Sequence, residues 1–131
     1  MSQPAEVTVR TGQGLVQEIS VGRHALRADL PASLGGADSG PAPHELLLSA
    51  YGACTAMTVT MYARRKQWPL TGIEVKLRLT AATQPGGPER IERDIELRGD
   101  LDPEQRQRLR EVADKCPVHK TLTIKPEIVT R

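Results

Sequence analysis

The sequence has very few aromatic residues: phenylalanine is absent, and there are one tryptophan and two tyrosines among 131 residues. The hydrophobic core must therefore be built from leucine, isoleucine, valine, alanine and methionine. A chain of this length can bury a core of ordinary size, and we predict a single domain over residues 1–131.

An excess of charge of one sign is also missing. Eighteen lysines and arginines face sixteen aspartates and glutamates, and both signs are interspersed, with no basic stripe and no acidic tail. Nucleic acid is therefore not an expected partner. The first residues, MSQPAEVTVR, contain neither a positively charged leader nor an apolar stretch. We therefore expect no export signal and a cytoplasmic location.

One long apolar segment, PHELLLSAYGACTAMTVTMYARRKQW, covers residues 43–68. Its apolar side chains are spread around the whole circumference of a 3.6-residue repeat, which is typical of a helix buried on all sides. Glu45, Gly52 and the lack of an uninterrupted apolar run of ~18 residues argue against a membrane span. We predict a central core helix that begins at Pro43 and ends at Trp68, because the residue before a proline, here Pro69, is disfavoured in the helical conformation.

The segment before this helix has the pattern of short strands. EVTVRT, LVQEISV and RHALRADL lie between residues 6 and 30 and are separated by glycine-containing turns, which predicts an antiparallel meander. Residues 30–43 are rich in glycine, proline and serine, so we predict a loop there.

After the central helix, apolar and charged residues alternate over 73–79 and again over 91–97, which predicts a β-hairpin with its turn at 83–89. Asp102 and Pro103 are typical of a helix start, and this second helix should reach about Lys115. LTIKPEIVT, residues 122–130, predicts a last strand.

Arg93 is unusual because it shares the apolar face of the second hairpin strand. One interpretation is a side chain that extends to solvent from the sheet edge. The other is an arginine at a functional or subunit interface.

The chain has only two cysteines, and in a reducing compartment such residues are more typical of catalysis, redox chemistry or metal binding than of a structural disulfide. Cys54 lies inside the apolar helix, where desolvation raises the pKa of a thiol, so its reaction needs a positive partner. Cys116 precedes Pro117, and we predict that it caps a short helical turn over VHKTL. Backbone N–H groups there, with Lys115, His119 and Lys120, would favour a thiolate.

Three interpretations of the cysteines remain open from the residues alone. Both thiols can be small buried hydrophobic groups. They can form a dithiol in which one thiolate attacks a substrate such as a peroxide and the other condenses with the sulfenic acid. They can also bind zinc, with Cys116, His119, Cys54 and His44 as ligands. His44 and Cys54 are ~15 Å apart along one helix, too far for one tetrahedral site, so we predict no metal site within the chain.

Two motifs, each around one cysteine, are specific. GPAPHELLLSAYGACTAMT contains Cys54, and DKCPVHKTL contains Cys116. Together they resemble the OsmC/Ohr family of hydroperoxide-reducing proteins, in particular the OsmC-like subgroup with a G-P-x-P-x-E-L-L-L…G-A-C-T motif and a C-P-V-H motif. The predicted order of strands and helices also follows that family over nearly the whole chain.

The resemblance implies an α+β fold of the OsmC type, with antiparallel β-sheets around a long buried central helix. It also implies an intertwined homodimer with active sites at the subunit interface. No metal or organic cofactor is expected, and neither is a membrane.

The resemblance further implies a thiol-dependent peroxidase that acts in oxidative-stress defence. Cys54 matches the reactive cysteine, which attacks the O–O bond of an organic hydroperoxide or of hydrogen peroxide. Cys116 matches the cysteine that closes a disulfide with it, and a dithiol such as dihydrolipoamide would reduce that disulfide. The alternative function is a dimeric protein that binds a small molecule or senses redox state without turnover.

The family activates its cysteine with an arginine held by a glutamate near the helix start. Here His44 stands at the usual glutamate position, and Glu45 follows it. Arg27 is our first choice for the arginine, with Arg23 and Arg93 as alternatives. The predicted catalytic residues are therefore Cys54, Cys116, Arg27 and Glu45. The predicted substrate-binding residues are His44, Tyr51, Leu47 and Met57.

Overall fold

The computed structural model describes residues 5–131 and has two compact units, the first ending at Leu47 and the second beginning at Leu48. The chain is α+β with antiparallel sheets and one long helix, as predicted. The elements are β1 (Thr8–Thr11), β2 (Gln17–Val21), β3 (His24–Ala28), a 3-10 helix (Ala32–Leu34), α1 (Pro43–Lys66), β4 (Leu70–Thr80), β5 (Arg90–Gly99), α2 (Pro103–Ala113) and α3 (Pro117–Thr123).

The first unit contains the predicted meander. Strands β1, β2 and β3 pair in sequence order, and Ile19 of β2 lies opposite Val9 on one side and Leu26 on the other. Gly22 has a positive φ of 57° in the tight turn between β2 and β3, a conformation that glycine adopts without strain.

The loop after β3 is organised by the buried carboxylate of Asp29. Its oxygens accept hydrogen bonds from the backbone N–H groups of Leu30, Ala37 and Ser39 and from the Ser39 hydroxyl. These donors favour the ionised form and lower the pKa of Asp29 to about 2. A Cβ at Gly36 would lie 2.0 Å from the Leu30 carbonyl oxygen, so only glycine fits there. The predicted loop over 30–43 is confirmed apart from the short 3-10 helix.

Helix α1 ends at Lys66, two residues earlier than predicted. Gln67 adopts a left-handed conformation with φ of 58°, and the Trp68 N–H donates to the Ala63 carbonyl at 2.9 Å. The helix is therefore closed by a left-handed cap, and Pro69 follows this cap instead of causing it.

The burial of α1 differs from the prediction. Its buried residues form one stripe with helical spacing, whereas Met57 and Met61 are 58% and 57% exposed. The prediction of a helix buried on all sides is therefore wrong for a single chain, because one face alone packs against the rest of the second unit. By length and composition α1 could cross a membrane, but core helices of soluble proteins meet the same criterion.

Behind the buried stripe of α1 lies the antiparallel hairpin β4–β5, paired from Leu70–Gly99 to Thr80–Arg90. Helix α2 begins at an Asp102 cap with a complete capping box to Gln105, as its sequence predicts. One hydrophobic cluster joins these three elements through Val59, Ala63, Leu97, Leu101, Leu109 and Ala113.

The end of the chain contradicts the prediction of a last strand. Leu122 and Thr123 belong to α3, and residues 124–131 form neither strand nor helix. A strand needs a neighbouring strand, and none of the strands in residues 5–131 pairs with this segment. Ile128 is 83% exposed in this segment, and Pro126 lacks a backbone donor.

Candidate active site at Cys54 and Cys116

The structure brings the two cysteines together. Cys54 of α1 and Cys116 before α3 belong, with Tyr51, to one cluster of buried residues in the second unit. Cys54 is 8% exposed and Cys116 is 1% exposed, and both are free thiols. Cys116 caps α3 as predicted, and its Sγ accepts the His119 backbone N–H at 3.3 Å.

The surroundings of Cys54 favour the neutral thiol. Burial is the main reason that its pKa is raised above the ordinary value, and the adjacent Cys116 thiol adds to the increase. The backbone N–H of Val118 and the hydroxyl of Thr58 act in the opposite direction. The Thr58 Oγ1 is buried without a hydrogen bond of regular geometry, so its effect on the thiol is weak. As the sequence indicated, attack by Cys54 needs help from its neighbours.

Tyr51 and His119 form a polar pair beside the cysteines. The Tyr51 hydroxyl and the His119 Nδ1 are 2.5 Å apart, and the two ring centroids are 5.8 Å apart. Tyr51 lies three residues before Cys54, so both side chains project from the same face of α1. Burial raises the pKa of the Tyr51 hydroxyl, and the positive charge of Arg93 opposes that increase.

Arg93 of β5 supplies a cation to this cluster. Its guanidinium lies 4.8 Å from the centroid of the Tyr51 ring and donates to the Thr55 hydroxyl at 3.1 Å. It also donates to the Ala113 carbonyl at 3.3 Å and forms an ion pair with Asp114 at 2.5 Å. The side chain is only 12% exposed, so the interpretation of an arginine that extends to solvent from the sheet edge is wrong.

The other predicted catalytic residues lie in the first unit. Arg27 of β3 forms a half-exposed ion pair with Glu18 at 3.0 Å. Glu45 accepts the backbone N–H of Ala42 at 2.9 Å near the start of α1. Their roles at Cys54 stay predictions, and the same holds for the alternative Arg23.

The predicted substrate-binding residues differ in exposure. Tyr51 is buried in the cysteine cluster, whereas His44 and Leu47 in the first unit are exposed. Met57 follows Cys54 by three residues on α1 but is exposed. Of these four residues, the structure places Tyr51 in the cluster with Cys54.

Sequence reasoning missed Thr55 and Asp114. Thr55 lies one helical turn after Tyr51, and its hydroxyl donates to the Tyr51 carbonyl at 2.9 Å. Its place in the site becomes visible only in the structure, where Arg93 donates to its hydroxyl. Asp114 precedes Cys116 by two residues in the DKC motif. An arginine on an apolar strand face needs a buried or nearby acceptor, and that was the available signal.

Among residues 5–131, no group of three or more histidines, cysteines, aspartates or glutamates is placed to hold a metal ion. His119, one of the residues considered as a zinc ligand, forms a hydrogen bond with Tyr51 through its Nδ1.

The sequence model of the OsmC-like protein family matches residues 36–131, which include both cysteines and all the second unit. The chain therefore belongs to the OsmC-like protein family, and the predicted family resemblance is confirmed. A search of curated proteins finds no match to this chain.

Solved structures share the fold over nearly the whole chain. The OsmC-like protein of Mycoplasma pneumoniae superposes with a TM-score of 0.80 at 19% identity, covering 95% of this chain and 91% of its own. For the organic hydroperoxide resistance protein OhrB of Bacillus subtilis the TM-score is 0.64 at 25% identity. This match covers 94% of our chain and 93% of OhrB. A putative organic hydroperoxide resistance protein of Vibrio cholerae, with captopril bound in one of its active sites, has a TM-score of 0.68 at 20% identity. The match covers 95% of this chain and 89% of that protein.

Proposed function

We propose that this protein is a thiol-dependent peroxidase that reduces organic hydroperoxides and uses Cys54 and Cys116 as a redox pair in oxidative-stress defence. The observation that carries the proposal is the contact of two free cysteines within one buried cluster. The thiols of a dithiol peroxidase must be able to approach each other to form a disulfide.

The proposed cycle balances with one peroxide and one dithiol. The Cys54 thiolate attacks the terminal oxygen of the hydroperoxide, the O–O bond breaks, and the alkoxide takes a proton and leaves as an alcohol. The Cys116 thiol then condenses with the Cys54 sulfenic acid, which forms the disulfide and releases water. An external dithiol, such as dihydrolipoamide, reduces the disulfide and is itself oxidised to a disulfide.

Arg93 supports the first step of this cycle. Its charge lies beside the ring of Tyr51, which belongs to the same buried cluster as Cys54. A fixed cation in a dry site stabilises negative charge on the sulfur and on the departing oxygen more strongly than it would in water. Two relatives of the same fold, from Bacillus subtilis and Vibrio cholerae, are named for organic hydroperoxide resistance.

We further propose that the protein works as a homodimer in the cytoplasm, without a metal or organic cofactor. Met57 and Met61, which are exposed one helical turn apart on α1, support the dimer, since neighbouring exposed apolar side chains are typical of an interaction surface. Neither nucleic acid nor a membrane is a proposed partner.

The proposed activity is tested by following the consumption of cumene hydroperoxide or hydrogen peroxide with dihydrolipoamide as the reductant. Steady turnover that needs both peroxide and dithiol is the expected result, with the organic peroxide consumed faster. Absence of turnover with every peroxide and dithiol pair would contradict the proposal.

A second candidate is a protein that binds a small molecule without turnover, and one finding favours it. The Vibrio cholerae relative holds captopril in one of its active sites. The raised pKa of Cys54 is also compatible with an unreactive thiol. Tight retention of a ligand by a protein that consumes no peroxide would support this candidate.

A further inference from the structure

The peroxide step at Cys54 consumes a proton. Cleavage of the O–O bond of an alkyl hydroperoxide releases an alkoxide, which is a strong base and needs a proton as it forms. The Cys54 thiolate has already lost its own proton to solvent when it attacks. A proton donor held beside the sulfur would therefore speed this step.

The pair formed by Tyr51 and His119 lies beside the two cysteines. Tyr51 shares the buried cluster of Cys54 and Cys116, and its hydroxyl lies 2.5 Å from the His119 Nδ1. The histidine is held on the cysteine side, because its backbone N–H donates to the Cys116 Sγ. When His119 is neutral, the Tyr51 O–H donates to Nδ1. When His119 is protonated, Nδ1–H donates to the tyrosine oxygen, and the Tyr51 O–H is free to donate to an oxygen at Cys54.

Charged and titratable groups from several elements lie around this pair. Arg93 of β5 lies over the Tyr51 ring, and Asp114, after α2, is bound to Arg93. Cys54 of α1 and Cys116 before α3 belong to the same buried cluster as Tyr51. Burial raises the pKa of the Tyr51 hydroxyl, and the cation over the ring opposes that increase because it stabilises negative charge on the tyrosine oxygen.

We propose that Tyr51 and His119 are a proton relay to the oxygen that leaves when Cys54 attacks a hydroperoxide. As the S–O bond forms and the O–O bond breaks, Tyr51 donates its hydroxyl proton to the alkoxide, and protonated His119 replaces it from Nδ1. His119 then regains a proton from solvent, which balances the proton that Cys54 lost. In this relay Tyr51 contacts the reacting oxygen. His119 acts through Tyr51, because it positions the tyrosine hydroxyl and returns a proton to it. This inference rests on the proposed peroxidase function.

The test compares two oxidants that differ in their need for a proton. tert-Butyl hydroperoxide releases an alkoxide, whereas peracetic acid releases acetate, a weak base that leaves without protonation. The rate of Cys54 oxidation is measured in a single turnover, without reductant, for wild type, Tyr51→Phe and His119→Gln. Each rate is divided by the rate of Cys54 alkylation with iodoacetamide, which reports the fraction of thiolate.

In both variants we expect the normalised rate with tert-butyl hydroperoxide to fall about 100-fold, the usual contribution of a general acid. The rate with peracetic acid should change by no more than about threefold, because a leaving group that needs no proton gains little from a general acid. The matched control is Tyr62→Phe, which removes the other tyrosine hydroxyl of α1. That hydroxyl accepts from Arg108, and its ring packs against Trp68, outside the cysteine cluster.

The other outcomes overturn either the relay alone or the proposed function together with the relay. An equal loss with both oxidants would show that the pair acts on the thiol or on the fold, and the relay would be wrong while the peroxidase stands. Unchanged rates with tert-butyl hydroperoxide would lead to the same conclusion. Failure of the wild-type protein to react with either oxidant would overturn the proposed function, and the relay with it.

Discussion

At the scale of single residues, burial decides the properties of Cys54. Removal from water raises the pKa of its thiol, and the Val118 N–H and the Thr58 hydroxyl oppose that effect. An ordinary buried cysteine in this setting is inert. What distinguishes Cys54 is its cluster with Tyr51 and a second thiol, in which Tyr51 in turn contacts His119 and Arg93.

The two cysteines have different expected roles, and single substitutions separate them. Cys54→Ser should abolish peroxide consumption, because the serine hydroxyl does not replace the thiolate as a nucleophile. Cys116→Ser should react once with a peroxide and then stall as a sulfenic acid or a higher oxide of Cys54. Peroxide consumption and intact mass measure both effects. Undiminished turnover in Cys54→Ser would remove Cys54 from the mechanism.

The arginine that assists Cys54 can be identified by substitution as well. We expect Arg93→Met to slow single-turnover oxidation of Cys54 by about 100-fold, because it removes a preorganised cation from a dry site. Asp114 is 60% exposed, so the variant leaves no buried unpaired charge. Arg98→Met, on the exposed side of β5, is the control.

Arg27→Met belongs in the same experiment because the family resemblance predicts Arg27 as the activating residue. A large loss in Arg27→Met with no loss in Arg93→Met would assign the role to Arg27 and contradict our expectation for Arg93.

The sequence was informative at this scale where chemistry is local. Both cysteines, Tyr51 and the capping position of Cys116 could be predicted from short motifs and helical spacing. The partners of Arg93 could not, because Thr55 and Asp114 are 38 and 21 positions away and meet it only through the packing of three elements. A single sequence carries no signal for such contacts.

At the scale of elements, the loop after β3 depends on one carboxylate. Asp29 accepts four hydrogen bonds that fix the path from Leu30 to Ser39. Its pKa is lowered from 3.8 to about 2, so the stabilisation is present above pH 3.8 and is lost as the pH falls towards 2.

Asp29→Asn should therefore lower the thermal unfolding midpoint at neutral pH, because an amide nitrogen cannot accept the bonds that a carboxylate oxygen accepts. The difference from wild type should shrink as the pH falls from 3.8 towards 2. Thermal unfolding by circular dichroism measures both effects. Asp38→Asn, an exposed position in the same loop, is the control. A constant difference across this pH range would show that Asp29 is not the responsible carboxylate.

Prediction of elements succeeded where the signal lies within a few residues. The alternation in β4 and β5, the capping box of α2 and the turn residues of the meander each determine local structure. The prediction of a last strand was wrong because alternation over 122–130 does not indicate whether a neighbouring strand exists. In the single chain, part of that segment joins α3 and the remainder is exposed.

At the scale of the whole molecule, large apolar side chains of the second unit are exposed on α1 and in the C-terminal segment. Met57 and Met61 lie one helical turn apart on the unburied side of α1. Ile124, Ile128 and Val129 are exposed at the C-terminal end. The sequence predicted a helix buried on all sides, and a second copy of the chain would provide the missing cover. The single domain and the intertwined homodimer stay predictions.

The homodimer is tested by sedimentation velocity with a charged substitution on this surface. Met57→Glu combined with Met61→Glu should weaken association at least about tenfold, because burial of each methionine contributes ~1.5–3 kcal/mol and a buried unpaired carboxylate opposes association. Lys76→Glu, an exposed position of β4, is the control. A monomeric wild-type protein, or an unchanged dimer in the double variant, would contradict the proposed surface.

The central claim is that Cys54 and Cys116 form a redox pair, and its most direct test is thiol titration before and after one equivalent of tert-butyl hydroperoxide. Intact mass is measured on the same sample, and Cys54→Ser serves as the control. We expect the loss of both thiols and of about two mass units per chain, which corresponds to a disulfide within the chain. Two unchanged thiols and an unchanged mass would show that Cys54 is an inert buried group and would contradict the account.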